Sequence, residues 1–225
     1  MGSRQGWMMM AMVLVAVWVR TSEASVSCGR PGGGLFVNAL DPSLKVQGRA
    51  WADAGKSALS FDWSGVGVSF LVTNTSGVAV VFADSGTANW YKVLVNSQEV
   101  VDVAAAGCAS FTTLQVPFSF DPLTSYEVEF FKRTEPANNY VPTVFYGVSL
   151  DPQASLKGPA PASRSILFFG DSVTAGYADL GNATSNCSLS MSVLEDNWYD
   201  YSSVLARQFN GMNIFNPVLF RSSFR

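Results

Sequence analysis

The sequence predicts two unlike parts, a β-sandwich of jelly-roll type and then the opening of an α/β domain. Three observations carry this reading. From Leu35 to Leu150, short runs rich in Val, Phe and Tyr recur about every ten residues, bounded by Gly, Asn, Asp and Pro. A proline-rich join follows between Asp151 and Ser163. Beyond it a continuous apolar run, a tight turn, a polar loop and a segment of helical period replace the short-strand pattern.

Taken in order, the chain begins with Arg4 and an apolar run from Met8 to Val19 that ends at Arg20. A membrane-spanning helix needs about 18 or more apolar residues, so this run is too short to be one. Ser22 and Ala24 are small residues at the −3 and −1 positions before Ser25. Residues 1–24 are therefore expected to be a cleaved signal peptide. Residues 25–157 are assigned to the sandwich. Its expected strands are Val66 to Val72, Val78 to Phe82, Trp90 to Val95, Val100 to Val103, Phe111 to Val116, Tyr126 to Phe131 and Val144 to Leu150. Residues 158–164 form the linker, in a stretch where Pro152, Gly158, Pro159 and Pro161 cannot continue a central strand. Residues 165–225 are assigned to the α/β part. Ser165 to Phe169 reads as a strand buried on both faces of a parallel sheet. A polar loop spans Ala178 to Ser192. Leu194, Trp198, Tyr201, Leu205 and Phe209 then recur at helical spacing, with Glu195 and Asp196 early, Arg207 late and Gly211 beyond. The tail after Asn210 can open a second strand.

Composition narrows the function. At 225 residues the chain holds one ordinary domain and part of another, and 48% hydrophobic against 14% charged residues describes a globular chain. A net charge of −3 offers no basic field to nucleic acid. Three cysteines, Cys28, Cys108 and Cys187, fit no metal-site spacing, and an odd count in a secreted chain asks for a further partner. Asn74, Asn182 and Asn186 open N-x-S/T triplets and are glycosylation candidates.

The chemistry concentrates in Gly170-Asp171-Ser172-Val173-Thr174-Ala175-Gly176-Tyr177. A serine leaving the carboxyl end of a parallel strand stands where α/β domains place ligands, and Gly170 permits a close backbone approach. The same dipeptide Asp171-Ser172 also suits an ordinary helix cap or turn, and these eight residues leave both readings open.

The wider stretch SILFFGDSVTAGYAD resembles the first block of the SGNH (GDS-type) hydrolases. Upstream, FFKRTEPANN (Phe130 to Asn139), FYGVSLD (Phe145 to Asp151) and the proline-rich join resemble carbohydrate esterase family two. EDNWYDYSSVLARQF (Glu195 to Phe209) resembles that family's first helix, so the resemblance covers most of Ala50 to Phe209. It implies a jelly-roll β-sandwich followed by a flavodoxin-like SGNH hydrolase domain. It also implies a secreted serine esterase that removes acetyl groups from xylan- or mannan-like polysaccharide. Ser172 becomes the nucleophile, and its backbone N–H one oxyanion donor. Asp171 and Gly170 support the turn rather than ionise a base. No cofactor and no metal are implied. The partner is an acetylated polysaccharide or oligosaccharide, with no nucleic acid, no membrane after signal cleavage, and a monomeric state.

The family's catalytic base is a histidine, and these 225 residues contain none. Serine is a weak nucleophile without a base, and loss of the histidine in subtilisin costs about a millionfold in turnover. The expectation is therefore a C-terminally truncated hydrolase domain, inactive as written. The alternatives are a pseudoenzyme or a secreted carbohydrate-binding sandwich. In the latter, Trp51, Trp63, Trp90 and Tyr91 would offer stacking faces, against the alternative that they fill the core.

Overall fold

The computed structural model describes residues 24–84, 89–108, 110–136, 142–161, 165–181, 192–209 and 213–215. The predicted signal peptide lies outside the described residues, apart from Ala24. So do Asn182, Asn186, Cys187 and Gly211.

In chain order the strands are β1 (Ser25–Cys28), β2 (Leu35–Asn38), β3 (Lys45–Gln47), β4 (Trp51–Asp53), β5 (Ala58–Phe61), β6 (Gly67–Thr73) and β7 (Val78–Ala83). There follow β8 (Trp90–Val95), β9 (Gln98–Ala104), β10 (Thr112–Gln115), β11 (Tyr126–Lys132), β12 (Thr143–Leu150) and β13 (Ser155–Lys157). The C-terminal part holds β14 (Ser165–Leu167), helix α1 (Tyr201–Gln208) and β15 (Asn213–Phe215).

Two antiparallel sheets form the body. One has seven strands, ordered β1-β10-β7-β12-β5-β4 with β2 also paired to β12. The other has six, ordered β13-β6-β11-β8-β9 with β3 also paired to β6. Alternation along the strands sends one set of side chains inward, and the two sets meet in a single core. Phe82 and Phe145 from the first sheet meet Tyr91 and Phe130 from the second. The Phe82 and Tyr91 rings lie 4.7 Å apart, and those of Phe130 and Phe145 5.9 Å apart. Each such ring buries a large apolar area, which is the main favourable term in folding.

The seven strands expected from the sequence all form, within three residues at each boundary. The β8–β9 hairpin turns through Asn96 and Ser97, both at positive φ (51° and 62°). That is the primed turn whose twist matches paired strands. A disulfide joins Cys28 at the end of β1 to Cys108, across 80 residues of sequence.

Three features differ from the expectation. β13 forms inside the stretch read as irregular; it is an edge strand on β6, flanked by Pro152 and Pro159, the position where proline neighbours are tolerated. The helix begins at Tyr201 instead of near Leu194, because Asp200 caps it and residues before it bind the sandwich. β14 pairs in parallel with β15, yet Leu167 and Phe169 are exposed, so the burial expected on both faces is not met among the described residues.

Candidate active site

Ser172 sits in a turn that leaves the carboxyl end of β14. Asp171 shapes that turn. Its carboxylate accepts from the Val173 N–H at 3.0 Å, and its carbonyl accepts from Thr174 and Ala175 at 3.0 and 3.2 Å. Gly176 N–H donates to Val173 O at 3.2 Å, and Tyr177 N–H to Ser172 O at 2.9 Å. The N–H groups from Val173 to Tyr177 are thus satisfied within the turn, whereas those of Ser172 are not. Among the described residues, neither the Ser172 hydroxyl nor its backbone N–H has a hydrogen-bond partner.

Two glycines make this geometry attainable. A Cβ on Gly170 would lie 1.7 Å from Thr174 Oγ1 and 2.6 Å from Thr174 Cβ. Gly176 has a φ of 84°, and a Cβ there would lie 2.3 Å from Asp196 O. The turn is therefore pressed against the Glu195–Asp200 stretch, which returns a hydrogen bond from Asp196 N–H to Gly176 O at 2.9 Å. Leu180 N–H donates to Leu194 O at 3.0 Å, and Thr174 Oγ1 lies 2.9 Å from the Tyr201 hydroxyl.

The same stretch is held from its other side by the sandwich. Arg133, just beyond β11, is fully buried; it grips Asp102 with Nη1 at 2.7 and 2.6 Å. Its Nη2 donates to the carbonyls of Ser192 and Val193, both at 2.8 Å, and its guanidinium lies 4.4 Å from the Trp90 ring centre. Lys92 on β8 pairs with Asp196 at 2.7 Å and Glu99 at 2.6 Å. Burial opposes the Lys92 charge, but these carboxylates outweigh it and raise the ammonium above its ordinary value. Phe131 packs on Trp198 with centroids 5.9 Å apart.

Glu195 accepts a hydrogen bond from the Glu135 N–H. Burial, reinforced by Glu135, pushes the Glu195 carboxyl up to about 8. Glu135 is pushed up to about 7, again by burial; Lys132 works against the rise and Asp171 adds to it. One Glu135 oxygen is buried with no hydrogen-bond partner among the described residues. A sandwich carboxyl thus stands beside the turn that carries Ser172.

Ser172, Asp171 and Gly170 therefore stand together in one turn. Asn74 is elsewhere: it lies exposed at positive φ in the β6–β7 connection, donating to Gln153 O at 2.7 Å. Of the four aromatics considered as stacking faces, only Trp51 is half exposed (49%). Tyr91 is in the core, Trp63 packs against it and Trp90 carries Arg133. The sequence reading missed Lys92, Arg133, Glu135 and Asp196 as supports of the turn. A signal exists in β8, where Lys92 interrupts the otherwise apolar run WYKVLV.

No family model matches the chain, and no curated protein matches it in sequence. Solved structures do match. A family two carbohydrate esterase from Cellvibrio japonicus is 21% identical with a TM-score of 0.66, over 86% of this chain and 52% of that one. An acetyl xylan esterase from the rumen bacterium Butyrivibrio proteoclasticus is 17% identical with a TM-score of 0.69, over 81% and 48%. A family two carbohydrate esterase from Clostridium thermocellum, in complex with cellohexaose, is 22% identical with a TM-score of 0.63, over 77% and 51%. The chain thus has the fold of family two carbohydrate esterases and spans about half the length of these three solved structures.

Proposed function

We propose that this chain belongs to a secreted serine esterase that removes acetyl groups from a xylan- or mannan-like polysaccharide, with Ser172 as nucleophile. On this reading the sandwich is of jelly-roll type, and residues from Ser165 onward open a flavodoxin-like SGNH hydrolase domain. The observation that carries the proposal is the state of Ser172. The N–H groups from Val173 to Tyr177 are engaged, whereas among the described residues its hydroxyl and its N–H have no partner. Attack needs that hydroxyl, and the tetrahedral oxyanion needs that N–H. The fold shared with carbohydrate esterases, one of them complexed with cellohexaose, supports a sugar substrate. The Cys28–Cys108 disulfide supports an oxidising, extracellular compartment.

On this reading a histidine serves as the general base, and these 225 residues contain none. The test expresses the complete open reading frame and measures acetate released from acetylated xylan and glucomannan. Ser172→Ala is expected to lower turnover at least about a thousandfold, as loss of a nucleophile does. Release at the wild-type rate from Ser172→Ala protein would remove Ser172 from the mechanism. Residues 25–225 alone are expected to release acetate at no more than the buffer rate.

A further inference from the structure

The outward face of the six-stranded sheet is not left to open solvent. Helix α1, Trp198 and the Pro159-Ala160 segment stand over it, and a cavity of about 620 Å³ remains between them and the strands. A cavity of this size accommodates a ligand of several sugar units.

Its floor is ordered by strand register. Lys45, Ser69 and Glu129 form one cross-strand row on β3, β6 and β11; Gln47, Gly67 and Phe131 form the next. Gln47 Nε2 donates to Ser69 Oγ at 3.0 Å. Glu127 stands two residues from Glu129 on the same face, because side chains alternate along a strand. Burial and then the neighbouring Glu127 raise the Glu129 carboxyl, while Gln47, Lys45 and Arg207 draw it down.

The chemistry of this lining selects a ligand class. Two carboxylates, Glu127 and Glu129, face two cations, Lys45 and Arg207, so the charges in the lining cancel (2 − 2 = 0). A polyanion or a simple cation would find no net field there. Carboxylates accept and cations donate, while an amide and hydroxyls do both; sugar hydroxyls can answer all of them. Between these groups Leu71, Phe131 and Pro159 supply apolar strips suited to the C–H faces of a pyranose ring.

We propose that this cavity is an accessory binding site for a neutral oligosaccharide chain, distinct from the Ser172 turn. Asn197 ties the two places together: it lines the cavity, donates to Thr174 O at 3.5 Å in the nucleophile turn, and donates to Asp200 at 2.5 Å at the start of α1. The inference rests on reading the protein as carbohydrate-active, and it adds a second contact for the polymer.

The test titrates the 225-residue protein with xylohexaose, mannohexaose and cellohexaose, following backbone amide shifts. Saturable binding of at least one sugar is expected, with shifts concentrated at Lys45–Gln47, Glu127–Phe131 and Trp198. Glu129→Gln removes a charged acceptor of near-identical shape and is expected to weaken that binding about tenfold. Three results would each overturn the proposal: no saturable binding of any hexaose at millimolar concentration, shifts confined to residues 170–177, or full affinity in Glu129→Gln. The wild-type shift map needs no variant, so a Glu129→Gln protein that fails to fold leaves the test standing. Acetate release by the full reading frame is scored separately. Hexaose binding without acetate release would sink the esterase reading and spare this site; acetate release without binding would do the reverse.

Discussion

Glu195 and Glu135 meet at the seam between the sandwich and the Ser172 turn, with Lys132 at the end of β11 and Arg133 just beyond it acting on Glu195, and Asp171 acting on Glu135 from the turn. Lys132 is itself engaged by Asp62, at 2.6 Å to the carbonyl and 2.9 Å to the carboxylate. Both glutamates titrate well above their ordinary value of 4.5, at about 8 and about 7, chiefly because burial penalises the charged form. A carboxyl raised in the folded state holds its proton where the unfolded chain has lost it. Its stabilising contribution is complete below about pH 4.5 and is lost as pH rises through about 7 to 8. The melting temperature contributed by this pair is therefore expected to fall between about pH 5 and 8. Glu195→Gln, which keeps a neutral acceptor for the Glu135 N–H, should flatten that fall. Calorimetry of both proteins across the range checks it, and an identical slope in the two would refute it.

At the scale of elements, α1 shows what a sequence pattern can and cannot carry. The apolar spacing from Leu194 to Phe209 predicts a helix about twice as long as the eight residues observed. The first half is lost because Glu195, Asp196 and Asn197 bind Glu135, Lys92 and the turn, contacts that no local periodicity encodes. Asp200 then starts the helix, its carboxylate accepting from Ser203 N–H at 2.7 Å and from Ser202 Oγ at 2.6 Å. Asp200→Ala is expected to cost about 0.5–2 kcal/mol, the usual range for a lost cap, read from urea unfolding. The strands were more legible: β6 to β12 announce themselves by β-branched and aromatic runs between turn residues. β3, β4 and β13 have three residues each and carry little signal of their own. The place of Ser172 was equally legible, because a strand, a glycine and a polar turn are local features. Its supports were not, since Lys92 and Arg133 lie 80 and 39 positions upstream in the numbering (172 − 92; 172 − 133).

For the molecule as a whole, the Cys28–Cys108 bridge ties edge strand β1 to the connection between β9 and β10. Closing a loop of this length restricts the unfolded chain, so Cys28→Ser is expected to lower stability by about 2–4 kcal/mol. Denaturant unfolding of wild-type and variant protein measures this, and equal midpoints would show that the paired strands hold β1 without it. The clamp on the Ser172 turn has a consequence for biosynthesis. Lys92, Arg133 and Glu135 all leave the ribosome before Ser172 does, whereas Asp196 follows it. Domains form as units from the N-terminal end during translation. The sandwich can thus serve as a mould that is finished before the Ser172 turn is made, and the turn sets only when the strap that follows it docks into that mould.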